Sequence, residues 1–332
     1  MKYYNTNNKT YRVSFRQAVL EGLAPDGGLY MPESYPKFSK DFLTALSPLS
    51  FAELAFQIAR HFVDDIPSAE LEDLCQTVFT FDTPLIELSP KLSVLELFHG
   101  PTLAFKDFGA RFLAALIQRY TRDSARETLV LVATSGDTGS AVAKGFLGME
   151  GVKVALLYPG GMVSRIQEQQ LTTIGGNVTA FEVQGTFDSC QTLVKRAFQD
   201  DELQQTFNLS PANSINIARL LPQSFYYFRA FTQFTPAKSN GVHFVVPSGN
   251  LGNLTAGLMA ARMGLPVRQF VAAVNGNRFF PDYLQSGNAQ PRRAVRTCSN
   301  AMDVGNPGNF TRILDLFDGE RTSIRSTINS IS

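Results

Sequence analysis

The spacing of apolar residues predicts a mainly helical region up to about residue 80. Apolar positions recur at helical intervals in SFRQAVLEGLA, SFAELAFQIARHF and SAELEDLCQTVF, and the last two each open with a serine that could cap a helix. Between the first two lies PDGGLYMPESYP, which is rich in turn-forming residues. We expect that segment to be a surface connection.

From residue 128 the pattern changes to short β-branched runs that alternate with helical segments. Such alternation predicts parallel sheets that are covered by helices on both faces. The stretch from 186 to 234 contains no predicted strand, so we expect it to separate two sheets. The predicted strands are TLVLVAT (128–134), VKVALLYP (152–159), NVTAFEVQ (177–184), VHFVVPS (242–248) and VRQFVAAVN (267–275).

Composition narrows the class of protein and of partner. The 332 residues are 44% apolar and 18% charged, with a formal net charge of +1, which favours neither nucleic acid nor an anionic membrane as a partner. Cys75, Cys190 and Cys298 lie far apart and form no CxxC pair, which predicts no metal site and suits a reducing cytoplasm. The sequence contains neither a signal-peptide pattern nor a membrane-spanning run, so we expect a cytoplasmic protein. Its oligomeric state cannot be predicted.

The segment VPSGNLGNLTAGL follows a predicted strand and precedes a predicted helix. Ligands of parallel sheets bind at the carboxyl ends of strands. Gly249 and Gly252 would let the backbone approach an anion, and the amides of Leu251, Gly252 and Asn253 would donate to it. The segment therefore predicts a phosphate site, although a tight connection capped by asparagines is equally compatible with the pattern. It is neither a Walker A loop nor a dinucleotide fingerprint.

A second loop of this kind, SGDTG, follows the strand at 128–134. Its hydroxyls and amides at a helix start suit a carboxylate or a phosphate. The letters DTGS at 137–140 also occur in aspartic proteases, which need two such aspartates in β structure. This sequence has no second copy and continues in a helical pattern, so the protease interpretation is disfavoured.

Lys106 lies in ELFHGPTLAFKDFGARF, between Phe105 and Asp107, in a stretch that is otherwise suited to a core. Lysine is among the residues least often buried. Burial lowers the pKa of an amine and prepares it for a Schiff base with a carbonyl cofactor. The alternative is a structural lysine whose amine pairs with Asp107.

Several of these segments together resemble the threonine synthase family of fold-type-II pyridoxal phosphate enzymes. They are HGPTLAFKDFGARF, ATSGDTGSAV, NSINIARLLPQ and VPSGNLGNLTAGL, with DGGLYMPE and SNAMDVGNPGN near the two ends. The resemblance implies an α/β fold like that of the tryptophan synthase β chain, with two parallel-sheet domains. We expect a helical N-terminal region at 1–85, a cofactor domain at 86–127 and 209–332, and a smaller α/β domain at 128–208.

The resemblance also implies roles for particular residues. Lys106 would form the internal aldimine, and the backbone of Ser248, Gly249, Asn250, Leu251, Gly252 and Asn253 would hold the cofactor phosphate. Asp137 would lie beside the phenolic oxygen of the cofactor, where many relatives in the wider group have asparagine. An aspartate would repel a phenolate there unless one of the two is protonated.

Two further groups are implied to contact the substrate. The residues of the first are Ser135, Gly136, Thr138 and Gly139, which would face the substrate carboxylate. Those of the second are Asn213, Ser214, Asn216 and Arg219, which could contact the cofactor or the substrate phosphate. For this second group, helix capping and a surface salt bridge are an equal alternative. His99 is expected only to shape the turn that aims Lys106.

The implied reaction converts O-phospho-L-homoserine and water to L-threonine and phosphate. A related serine or threonine dehydratase, or another β-replacing enzyme, is the alternative within enzymes. The resemblance also predicts a further C-terminal segment, which in the wider group places a hydroxyl against the pyridine nitrogen. This sequence instead ends in the polar GERTSIRSTINSIS, where we expect no closing strand or helix. We therefore expect a fragment or a prematurely ended chain, and a non-catalytic cofactor-binding remnant is the third hypothesis.

Overall fold

A computed structural model describes residues 1–134, 136–234 and 241–332 of the chain. The helices are α1 (Phe15–Glu21), α2 (Lys40–Ala45), α3 (Phe51–Ala59), α4 (Ser68–Val78), α5 (Lys106–Thr121), α6 (Asp137–Phe146), α7 (Arg165–Thr172), α8 (Phe187–Ala197), α9 (Asp201–Thr206), α10 (Ile217–Gln233), α11 (Gly252–Arg262), α12 (Phe279–Ser286), α13 (Phe310–Leu316) and α14 (Arg321–Thr327). The strands are β1 (Tyr3–Asn5), β2 (Arg12–Val13), β3 (Tyr30–Pro32), β4 (Leu85–Ser89), β5 (Leu92–Leu95), β6 (Thr128–Ala133), β7 (Val152–Pro159), β8 (Val178–Val183), β9 (Asn208–Pro211), β10 (Val242–Pro247), β11 (Val267–Ala273) and β12 (Ile328–Ile331). A 3-10 helix spans Asn300–Met302.

The described residues form two parallel sheets, as the alternating pattern predicted. One has the strand order β8-β7-β6-β9 and the other β10-β11-β12, and all pairings within them are parallel. The five predicted strands are all present, because their β-branched and aromatic residues suit a pleated sheet. The expected covering of both faces is incomplete, since alternate residues of β10 are exposed, Val245 among them. The two candidate loops accordingly leave the carboxyl ends of β6 and β10.

Two strands of the parallel sheets were missed by the sequence prediction. The stretch from 186 to 234 is interrupted by β9, in which Asn208 pairs with Thr128 and Pro211 with Leu131 of β6. The sequence NLSP has almost no intrinsic strand propensity, so only its sheet partner makes it a strand. The polar tail was also wrongly expected to lack structure, since α14 and β12 bury Ile324 and Ile328 and β12 pairs with β11.

The N-terminal region is mainly helical, as expected, but also contains the antiparallel sheet β2-β1-β3. The segment PDGGLYMPESYP is not a surface connection, because Tyr30 and Met31 in β3 are fully buried against β1. Ser50 caps α3 in a reciprocal capping box with Glu53. Ser68 is the first residue of α4 and caps nothing, so that N-cap prediction was wrong.

The contact between α5 and α10 lies at the centre of the hydrophobic core. A Cβ atom added to Gly109 on α5 would lie 2.6 Å from the backbone oxygen of Arg219 on α10, so only glycine permits this approach. Aromatic rings of α5, α10 and α4's C-terminal end pack around the crossing. None of the described helices has both the length and the apolar character needed to cross a membrane.

The glycine at this crossing can be tested with a matched pair of substitutions. Gly109→Ala should lower the free energy of unfolding by about 1–3 kcal/mol, because the new methyl group meets rigid backbone. At Gly145 on α6 the same methyl group would lie 3.2 Å from backbone atoms of Ala110. There the better helix propensity of alanine, worth up to about 1 kcal/mol, should offset most of the strain. Urea unfolding measures both; equal losses would contradict a special role for the crossing.

Candidate active site

Lys106 is the first residue of α5, directly after the turn HGPT. That turn is fixed by Asp107, whose carboxylate accepts hydrogen bonds from the backbone nitrogen (2.9 Å) and hydroxyl (2.7 Å) of Thr102. Gly100 leaves the room for this carboxylate, since a Cβ there would lie 2.4 Å from it. His99 points to Glu96, with 2.8 Å between Nε2 and Oε2, and belongs to the turn's outer side.

The amine of Lys106 is partly enclosed and faces Asp137 rather than Asp107. Its Nζ lies 3.4 Å from Oδ2 of Asp137, at the first residue of α6, and its side chain is 16% exposed. The alternative of a structural lysine paired with Asp107 is therefore wrong. Loss of hydration lowers the pKa of Lys106; Asp137 opposes this effect, and the positive charge of Arg219 adds to it. A lowered pKa keeps more of the amine neutral and nucleophilic.

In the SGDTG loop, Ser135 lies outside the described residues. The hydroxyl of Thr134 accepts hydrogen bonds from the amides of Gly136 (3.0 Å) and Gly139 (2.8 Å), so these two predicted donors are turned inward. The amides of Asp137 and Thr138 donate to no other atom among the described residues. Because Asp137 begins a helix and faces a lysine, the geometry also differs from that of a protease dyad.

The loop after β10 presents a row of backbone donors. Ser248 does not contribute to it, since its amide donates to Ala273 (2.8 Å) and its hydroxyl to Val246 (2.8 Å). In the described part of the chain, the amides from 249 to 253 have no acceptor. Leu251 adopts a left-handed conformation (φ 60°) immediately before α11, which directs successive amides to one side. This row at a helix N-terminus has the geometry that an anion site needs, and the cofactor-phosphate site stays a prediction.

The donor row is held by residues that the sequence pattern did not identify as functional. The carbonyl oxygen of Asn250 accepts from the side-chain nitrogen of Asn309 (3.2 Å), and the amide of Gly308 donates to Oδ1 of Asn250. Arg312 in turn donates to Asn309 (2.8 Å) and to the carbonyl oxygen of Tyr30 in β3 (2.9 Å). The segments DGGLYMPE and NPGN thus meet beneath the loop.

The segment NSINIAR divides into capping and anion-facing residues. Asn216 caps α10 and donates to Val19, as the capping alternative predicted. The hydroxyl of Ser214 accepts from Asn250, which places it beside the donor row, whereas Asn213 contributes a carbonyl oxygen to the turn. Arg219 is only 3% exposed, so it forms no surface salt bridge and that alternative is wrong.

Arg219 is a buried cation without a carboxylate partner among the described residues. Its Nη1 donates to the carbonyl oxygen of Ala212 (2.8 Å), and its buried Nε has no acceptor in the described chain. Burial lowers its pKa to about 10, so the guanidinium stays charged at neutral pH. Burying an unpaired charge costs free energy, and a bound anion would offset this cost. The guanidinium of Arg219 is therefore suited to binding an anion.

One stretch of α10 brings the two halves of the site together. Gly109 of α5 contacts the backbone of Arg219, and a Cβ on Gly252 of α11 would lie 3.9 Å from the side chain of Gln223, which donates to Arg219. The first turns of α5 and α11 therefore approach the same segment of α10. The site therefore lies around this segment of α10, between the amine of Lys106, the guanidinium of Arg219 and the donor row.

Comparisons with known proteins agree with this geometry. The family model described as the threonine synthase N terminus matches residues 2–79, and the one described as pyridoxal-phosphate dependent enzyme matches residues 77–326. Threonine synthase of Haemophilus influenzae is 46% identical over 318 residues, which are 96% of this chain and 74% of that protein. The chain belongs to the threonine synthase family.

Solved structures of the threonine synthase family have the same fold. The crystal structure of threonine synthase from Escherichia coli matches with a TM-score of 0.90 and 43% identity, covering 100% of this chain and 77% of that one. Pyridoxal-phosphate-bound threonine synthase from Brucella melitensis matches with a TM-score of 0.92 and 35% identity, covering 100% and 78%. The predicted fold class and the pyridoxal phosphate cofactor are confirmed.

The support beneath the donor row can be tested by its effect on cofactor affinity. Asn309→Ala should weaken binding of pyridoxal phosphate by about tenfold, because the loop loses its hydrogen bond at Asn250. Asn177→Ala is the control, since Asn177 also donates to two backbone oxygens, of Phe146 and Val152, but outside the site. Fluorescence titration measures affinity and urea unfolding measures stability. If both variants lose affinity in proportion to stability, the loop support is not specific.

Proposed function

We propose that this chain catalyses the conversion of O-phospho-L-homoserine and water to L-threonine and phosphate, as a pyridoxal-phosphate-dependent lyase. The observation that carries the proposal is the desolvated amine of Lys106 between Asp137 and Arg219. Membership of the threonine synthase family supports this reaction over that of a serine or threonine dehydratase. The residues present also fit the cofactor, since the amides from 249 to 253, which have no acceptor in the described part of the chain, are available to its phosphate.

In this proposal Lys106 binds the cofactor and then moves protons. Bound pyridoxal phosphate supplies an electron sink for the substrate's Cα and Cβ carbons. The amine of Lys106, once released by the substrate amine, takes and returns protons at these two carbons. Its lowered pKa supports this role, because a larger fraction of the amine is then neutral and able to take a proton.

The anionic groups would be held by three sets of donors. The backbone of 249–253 binds the cofactor phosphate, with Ser214 beside it. The guanidinium of Arg219 binds the substrate phosphate, which is supported by its buried Nε having no acceptor among the residues that the structure describes. The loop from Gly136 to Gly139 faces the substrate carboxylate, and its amides of Asp137 and Thr138 have no acceptor among the described residues.

We further propose the domain division at 1–85, 128–208, and 86–127 with 209–332. Its support is that β6, β7 and β8 form one sheet and β10, β11 and β12 another, with β9 at the boundary. A cytoplasmic location and a small-molecule substrate, rather than nucleic acid, fit the net charge of +1 and the three free cysteines.

Substitution of the lysine tests the proposed function. Mixed with pyridoxal phosphate, the chain should develop a visible absorbance band and release phosphate from O-phospho-L-homoserine. Lys106→Ala should abolish the band and the phosphate release, because no amine remains to bind the cofactor. Lys144→Ala is the control, since Lys144 is exposed on α6.

Each assay outcome separates the hypotheses. Ammonia formed from threonine without phosphate release would identify a dehydratase instead. A normal absorbance band without turnover of either substrate would identify a non-catalytic cofactor-binding protein. A band that survives Lys106→Ala would contradict the assignment of this lysine.

The charge of Arg219 should be visible in the pH dependence of cofactor binding. Binding requires the neutral amine of Lys106, so its extent rises with pH through the pKa of that lysine. Asp137 on α6 raises this pKa and Arg219 on α10 lowers it, while the neighbouring Asp107 faces Thr102. Arg219→Met should therefore shift the midpoint of cofactor binding to higher pH.

Arg111→Met provides the comparison for this shift. Arg111 is on the same helix as Lys106, but donates to Thr77 on the outer side. Its substitution should leave the midpoint unchanged. The midpoints are measured by absorbance from pH 6 to 9. Equal midpoints for the unsubstituted chain and Arg219→Met would show that Arg219 does not lower the pKa of Lys106.

A further inference from the structure

Gln167 is a buried amide that contacts the site from a helix outside it. It is the third residue of α7, and its Nε2 lies 2.8 Å from Oδ1 of Asp137. The other oxygen of the same carboxylate, Oδ2, faces Lys106 at 3.4 Å. Gln167 and Lys106 therefore hold Asp137 from its two sides.

The orientation of the Gln167 amide is determined by a donor that cannot be reversed. Its Oε1 accepts from the backbone nitrogen of Ser164 (3.2 Å), and a backbone nitrogen can only donate. Oε1 also accepts from the side-chain nitrogen of Asn300 in the 3-10 helix (3.2 Å). The Nε2 group must therefore face Asp137, so both carboxylate oxygens of Asp137 face hydrogen-bond donors.

Gln167 also packs closely against the backbone of Gly136, in the loop before α6. Gly136 has φ 135°, and a Cβ atom added there would lie 2.4 Å from Cδ of Gln167. The planar amide thus packs directly on the loop backbone just before Asp137. Through Asn300 the same amide reaches the segment whose Met302 lies against Gly249, where a Cβ would be 2.7 Å from Cα of Met302. Gln167 connects the two loops of the site.

We propose that Gln167 is a positioning residue that holds the side chain of Asp137 so that its second carboxylate oxygen is directed at Lys106. This inference deepens the proposed function and rests on it, because it says that a residue of α7 positions the carboxylate that faces the cofactor-binding lysine. It also accounts for aspartate at position 137: the carboxylate accepts on both sides, whereas an asparagine would have to present its NH2 group to one of two donors.

A purely structural role must be distinguished from this one. Gln167 also completes the capping box of α7 with Ser164, and glutamate serves equally well at that position. Gln167→Glu therefore keeps the cap and the side-chain size but turns a carboxylate toward Asp137. A structural role predicts no effect of this substitution, and a positioning role predicts a clear one.

The test is a double-mutant cycle with a reciprocal exchange of donors. In Asp137→Asn alone, Gln167 holds the amide oxygen and leaves the NH2 group facing Lys106. In Gln167→Glu alone, two carboxylates face each other. In the double variant, the amide introduced at position 137 donates to the carboxylate introduced at position 167, and the amide oxygen faces Lys106 again. Gln169→Glu, on the exposed face of α7, controls for the added charge.

The first measurement is affinity for pyridoxal phosphate. Each single variant should lose about tenfold or more, as expected for a charge-assisted hydrogen bond, and the double variant should return to within about threefold of the unsubstituted chain. Gln167→Glu should melt below Gln169→Glu, because two carboxylates face each other, so affinities are compared at a temperature at which every variant is folded. Unchanged affinity of Gln167→Glu, or losses that simply add in the double variant, would overturn the proposal.

The second measurement uses the cofactor-free chain, so that it remains decisive even if the proposed function fails. The rate at which a small acylating reagent modifies Lys106 at pH 8 is followed by peptide mass spectrometry. Asp137→Asn should increase the rate, because Lys106 loses its counter-ion, and Gln167→Glu should decrease it, because negative charge is added. The double variant should lie between them. Single variants that shift the rate in the same direction would refute the arrangement.

Discussion

The close approach of α5 to the first turns of α10 is the constraint on which the site depends. Gly109 lets the two backbones touch at Arg219, and Lys106 is one helical turn earlier on the same face of the crossing. Since α10 also receives the start of α11, one segment of helix aligns the lysine with the anion site. The pKa of Lys106 follows from this packing, because the same contact removes water from its amine and brings a guanidinium near it.

The two buried arginines explain why the arrangement suits anionic ligands. Arg219 and Arg312 each donate to a backbone carbonyl oxygen and, in the described chain, form no salt bridge. Burying a charge without an opposite charge costs free energy, so these two side chains destabilise the fold unless another role compensates for them. Arg219 supplies positive potential beside the lysine, whereas Arg312 supports the donor row through Asn309.

The sequence predicted those features that depend on local patterns. The five long strands, the loops that follow β6 and β10, and the unusual lysine all have signatures within a dozen residues. The strands β9 and β12 could not be predicted, because their short polar sequences are strands only through their neighbours. Gln167 was missed for the same reason: its sequence context is a helix cap, and its contact with Asp137 exists only in the folded chain.

The hydrogen bond from Arg312 to Tyr30 joins residues that are 282 positions apart. Forming such a contact requires closing nearly the whole chain, at an entropic cost that local contacts do not have. We therefore expect the donor row that Asn309 and Arg312 support to be completed late in folding. In a collapsed chain whose two ends have not yet met, α5 and α10 could already pack around Lys106. The backbone amides that face a phosphate group would still be unordered.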